Sequence, residues 1–280
     1  TGTALAVGVH GLRSRPAIRE HCDTIDAASG RCTHDCANAI RFIAGHVSGT
    51  AGTGESYAIR LEDSPGVTIE SSTLCSGVGT DVAAVRLSGD AGATAIRGNY
   101  VEVAGGTSMA RGVWMDGCAG TAPWVADNFA IVVSPWMASP GPLATRADGV
   151  FAGGDCHPRI EGNLRIEAGS FTHATENAGV YCSIDPGTGV PSACIVAGNV
   201  AIRGSSTGTA PTSIGVRCDN GCCARIEGNH ISGRSGTFTR GVALGGTATY
   251  VAGNHIDGGC GRNEAVGLHA TGSSARVESN

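Results

Sequence analysis

The sequence predicts an all-β parallel solenoid of about ten coils, each of 25–36 residues and three short strands, with asparagines stacked at one corner. Three observations predict it. The phrase ARIEGNHISG at 224–233 returns as TYVAGNHIDG at 249–258, a repeat after 25 residues. Aligned on the apolar residue three places before each asparagine, the chain yields a column: Ile18, Ile43, Ile69, Ile96, Val125, Ile160, Val196, Ile226, Val251, Val277. Its partner column is His21, His46, Ser72, Asn99, Asn128, Asn163, Asn199, Asn229, Asn254, Asn280.

The strand upstream of each asparagine alternates with period two, so one of its faces is buried. Its inward pairs include Ile59 and Leu61, Val85 and Leu87, Val113 and Met115, Val150 and Ala152, Val180 and Cys182, Val216 and Cys218, Val242 and Leu244, and Leu268 and Ala270. The apolar column before the asparagine supplies the second strand, and a position just after it supplies the third: Val101, Ile131, Ile166, Ile202, Ile231 and Ile256. Three such strands cannot close a core alone, but they can stack on identical neighbours about 4.8 Å away. The bend at the asparagine calls for a residue that tolerates left-handed backbone geometry and can bond to its equivalents above and below. The ladder weakens toward the N-terminus, where His21, His46 and Ser72 replace asparagine, so those coils are expected to be less regular. Coil length varies through loops, the longest within 112–213.

Composition agrees and excludes alternatives. Nine leucines cannot fill leucine-rich repeats, and hairpin pairs for a propeller are missing. The chain has 45 glycines and only 15% charged residues, with no apolar run long enough for a membrane helix. Its net charge of −5 comes from 19 arginines and 24 acids without a basic run, which disfavours nucleic acid as a partner. The absence of lysine removes Schiff-base and lysine-base chemistry.

The recurring IxGNxI…GV text resembles the right-handed parallel β-helix repeats of the pectin-lyase-like superfamily, and especially its cysteine-bearing secreted bacterial repeat proteins, over residues 3–280. The resemblance implies a right-handed single domain spanning 1–280. It does not choose among the polysaccharide lyases, glycoside hydrolases, phage tailspikes and adhesins that share the architecture. The polygalacturonase-like signatures DD, GHG and RxK do not occur, so catalysis is disfavoured and no catalytic residue is assigned.

One column can carry a ligand. The outward residue between the two inward positions of the first strand reads Arg60, Arg86, Trp114, Phe151, Tyr181, Arg217, Ala243, His269. Three stacked aromatics, Trp114, Phe151 and Tyr181, flanked by Arg86 and Arg217, could hold a sugar chain. The competing expectation is that the long loops, with Trp124 and Trp136, fold back and bury them. Asp116, Asp148, Asp155 and Asp185 lie nearby and are read mainly as turn formers. His230 and His255 are expected to stack outward, and the RIE and RVE phrases at 159–161, 225–227 and 276–278 to pair charges between coils.

Twelve cysteines without a CxxC favour disulfides in an oxidising, extracellular or cell-surface setting over a metal site. The expected staples are Cys182 with Cys194 and Cys218 with Cys222 or Cys223; Cys32 and Cys36 are further candidates. No cofactor or metal is expected. Both ends break in mid-coil, so either the chain continues or protomers stack end to end. The leading expectation is a secreted structural or surface protein: a stalk, an adhesin or a filament subunit. A carbohydrate-binding or polysaccharide-degrading solenoid is the alternative, and a phage tailspike-like shaft the third.

Overall fold

The computed structural model describes residues 6–12, 17–19, 54–76, 79–103, 106–133, 145–169, 174–184, 189–206, 210–246 and 248–280. Among these there is no helix. The strands form three parallel sheets of nine, nine and seven members, and each sheet takes one strand from each successive coil. This is a parallel β-solenoid. Seven coils carry all three strands, fewer than the ten expected. The second sheet pairs Ile18 directly with Ile69, and Ile43 and His46 lie outside the described residues.

The inward residues fill the tube. Val85, Val113, Val150, Val180, Val216 and Val242 from the first sheet meet Ile69, Ile96, Val125, Ile160, Val196, Ile226 and Val251 from the second. Leu74, Val101, Ile131, Ile166, Ile202 and Ile231 of the third sheet join the same buried cluster. Close packing explains the recurring Gly-Val text. A Cβ on Gly149 would lie 2.6 Å from the Gly179 carbonyl oxygen and 2.7 Å from Ile166 Cγ2, so the branched third-sheet residue occupies the space of the missing side chain.

The ladder runs unbroken. The backbone N–H and side-chain Nδ2 of Asn99 both donate to Asn128 Oδ1, at 3.0 and 3.1 Å. Asn128 donates likewise to Asn163, Asn163 to Asn199, Asn199 to Asn229, Asn229 to Asn254 and Asn254 to Asn280. Each Nδ2 also donates to a second-sheet carbonyl of the coil before, as Asn163 does to Val125 at 3.0 Å. Ser72 ends the series, donating its backbone N–H to Asn99 Oδ1.

The left-handed backbone lies one residue earlier than expected. Gly98, Asp127, Gly162, Gly198, Gly228 and Gly253 take φ between 53° and 65°, while the asparagines themselves do not. The glycine turns the chain so that the asparagine side chain points inward, where it replaces water as a partner for buried backbone groups.

Three disulfides join pairs of described cysteines. Cys182–Cys194 forms as expected, and Cys218 pairs with Cys223 rather than Cys222, which is left as a buried thiol. Cys118–Cys156 was not anticipated; it joins consecutive coils across 38 residues. The signal was present: Cys118 follows Val113, and Cys156 follows Val150, by nearly the same number of residues. Cys32 and Cys36 lie outside the described residues. On the final rung the inward Val277 is 49% exposed.

Candidate binding face of the first sheet

The outward column forms in the expected order. Register partners run Arg60 to Arg86, Arg86 to Trp114, Trp114 to Phe151, Phe151 to Tyr181, Tyr181 to Arg217, Arg217 to Ala243 and Ala243 to His269. The rings are not a free platform, however. Trp114 is 7% and Tyr181 6% exposed, with Phe151 half-buried.

Arginines of the same sheet sit against them. The Arg111 guanidinium lies 4.2 Å from the Trp114 ring centre and 3.6 Å from that of Phe151. Arg146 lies 3.7 Å from the Tyr181 ring, and Arg86 lies 4.4 Å from Trp114. These are cation–π distances. Of the residues expected to provide a cover, Trp136 lies outside the described residues. Trp124 belongs to the second sheet, where its Nε1 donates to Glu161.

Asp148 anchors the arginines. It is fully buried, with Oδ2 3.4 Å from Arg111 Nε and 3.1 Å from Arg146 Nε. Burial pulls Arg111 below the ordinary arginine range, and the Asp148 charge opposes that fall. Tyr57 extends the cluster: Arg86 donates to its hydroxyl at 2.7 Å, and burial pushes its pKa up to about 12. Of the other acids near the column, Asp116 lies 3.5 Å from Arg86 and Asp155 bonds His157, while Asp185 lies outside the described residues.

Beyond Tyr181 the column becomes small at Ala243, and a depression of about 420 Å³ opens over the later coils. Its lining includes Glu176, Arg217, Asp219, Phe238, Arg240 and His269. Arg217 bonds Glu176 at 2.5 Å and Asp219 at 3.1 Å, while Asp219 also accepts from the Tyr181 hydroxyl at 2.7 Å. Phe238 at its rim is 39% exposed. An exposed ring beside fixed carboxylates and guanidinium groups suits a polar ring-shaped ligand. The sequence reading placed Arg217 in a binding column but missed Phe238 and Arg240. The interruption at Ala243 was its only visible sign.

Elsewhere the outer faces are occupied by local pairs. His230 and His255 stack edge to face with centres 4.5 Å apart, both exposed. Arg159–Glu161, Arg225–Glu227 and Arg276–Glu278 pair along their own strands, two residues apart, rather than between coils. Among the described residues no group of three or more His, Cys, Asp or Glu is placed to hold a metal ion, and no helix is long and apolar enough to cross a membrane.

Comparison with known proteins found no matching family model, no matching curated protein and no matching solved structure.

Proposed function

We propose that this chain is a secreted, surface-displayed rod whose work is structural: a stalk, adhesin shaft or end-to-end filament subunit. The observation that carries the reading is the uninterrupted asparagine ladder. From Ser72 to Asn254 it links coil to coil with buried hydrogen bonds and so favours one stiff element of the described coils. The disulfides suit an oxidising setting outside the cell. In the filament form, a further rung from another copy or from more of the same chain would cover Val277.

Antibody labelling of intact cells should detect the protein without permeabilisation, and negative-stain microscopy of the oxidised chain should show rods. Labelling that appears only in permeabilised cells would overturn the reading. Dispersed single rods at every concentration would remove the filament form and leave the stalk.

A second reading, carbohydrate binding, is favoured by the depression next to Tyr181. Its direct test is a glycan array with the wild-type chain and Phe238→Ala. A hit abolished by that substitution supports it, whereas no hit, or one indifferent to both Phe238→Ala and Trp114→Ala, removes it.

A further inference from the structure

The third sheet carries a cluster that neither reading uses. Its outward column runs through Glu102, Val132, Glu167, Arg203, Ser232 and Asp257 on successive rungs. Glu167 is 3% exposed and sits among three guanidinium groups. Its Oε2 lies 2.7 Å from Arg165 Nη2, 3.6 Å from Arg234 Nη1 and 4.0 Å from Arg203 Nη1. One carboxylate thus faces three fixed cations.

The imbalance is local and faces solvent. The side chains of Arg165, Arg203 and Arg234 remain 44%, 41% and 34% exposed, so much of their donor capacity points outward. Glu102 lies two rungs from Glu167 and bonds the Tyr100 hydroxyl, on which Arg165 also acts, so it offsets part of the Arg165 charge. Asp257 lies one rung beyond the coil of Arg234, where it is engaged by Ser232 Oγ and the Gly259 N–H rather than ion-paired to the arginines. Arg234 also holds a left-handed backbone, φ 56°, at a corner where the next rung uses Gly259. A side chain is kept there at a conformational cost that glycine would avoid.

We propose that Arg165, Arg203 and Arg234 form a site for one tetrahedral oxyanion, a phosphate group borne on a small extracellular sugar or free in solution. The excess of positive charge over the single buried carboxylate suits a phosphate dianion, and guanidinium forks can grip its oxygens in pairs. Glu167 is the positioning residue: it gathers the three arginines from different coils and leaves their outer edges free. Three arginines around a single carboxylate make a discrete site rather than a track, which favours one phosphate over a nucleic acid backbone.

Titration calorimetry of the intact oxidised chain tests this with inorganic phosphate, glucose 6-phosphate and a short single-stranded DNA. One saturable phosphate per chain is expected, with a dissociation constant of about 1 mM or tighter. Arg203→Gln and Arg234→Gln, both on exposed side chains, should each weaken it about tenfold. Arg159→Gln, on a second-sheet pair, should leave it unchanged. Thermal melts of each variant separate lost binding from lost fold. Tighter binding of the sugar phosphate than of the free ion assigns the site to an ester, and equal binding assigns it to free phosphate. Three results would overturn the proposal: no saturation by either phosphate, equal loss in Arg159→Gln, or DNA binding far tighter than both phosphates with a steep salt dependence.

Discussion

The asparagine corner and the arginine–aromatic face belong to the same coils and are built on opposite rules. At the corner one residue type recurs on every rung, its amide both donating and accepting, so identical neighbours complete each other. On the outward face unlike groups complete each other: Arg60 and Arg86 share the Glu55 carboxylate and the Tyr57 ring, Arg86 also lies against Trp114, and Arg111 lies between Trp114 and Phe151. Homotypic stacking specifies the architecture and can be extended indefinitely. Heterotypic stacking is particular to its rungs, and that is where a protein can hold something of its own.

The largest expected effect tests the face. Asp148→Ala takes from the buried Arg111 guanidinium its paired counter-charge, leaving only Glu176 on Arg146 and Asp116 farther off, and urea unfolding should show a loss of about 3–5 kcal/mol. The double substitution Arg111→Met with Asp148→Leu should restore most of that loss, because the charge and its desolvation vanish together.

At the corner, Asn163→Ala removes the acceptor shared by both donors of Asn128 and the donor to Val125. A loss of about 2–3 kcal/mol is expected in the same assay, against less than about 1 kcal/mol for Asn280→Ala at the exposed end. Equal losses at both sites would mean that burial of the ladder does not set its strength.

Smaller still is Phe151→Leu, which keeps an apolar side chain but deletes the ring beneath Arg111. About 1 kcal/mol is expected, and a double-mutant cycle with Arg111→Met should show most of it as coupling.

The smallest effect is pH-dependent. Burial raises the pKa of Tyr57 to about 12 and also lifts those of Tyr100 and Tyr181, while a hydrogen bond to Glu278 lifts that of Tyr250. Because the folded values exceed the unfolded one, this stabilisation is complete below about pH 10 and is lost as pH rises toward 12. Tyrosinate absorbance should therefore emerge later in the native chain than in the denatured one. Coincident titrations would contradict the buried placement of Tyr57 and Tyr181.

Much of this was readable from particular residues. Strict alternation around Val113, Val150 and Val180 placed Trp114, Phe151 and Tyr181 outward and in register, as found. The same alternation failed three residues upstream. Counting in twos from Val113 turns Arg111 inward, but the strand changes phase at Gly112, so Ala110 is the inward residue and Arg111 lies against the rings. The cover over the aromatics was missed for that reason. Expecting Asn to take the left-handed turn failed for a related one: the text Gly-Asn contains both a flexible residue and a bonding one, and local pattern does not divide those tasks.

The amino-acid sequence by itself determined the solenoid, its three strands per coil, the asparagine column and the outward order of the first sheet, because each follows from a periodicity that one strand imposes on its neighbours. Only the tertiary structure decided which outward groups meet: Arg111 with Phe151, Cys118 with Cys156, and Glu167 with three arginines from three coils. Apart from Arg165, which is two residues from Glu167, those contacts join residues some 30 or more positions apart through side chains whose reach and rotamer depend on what lies beside them, and no periodicity carries that information.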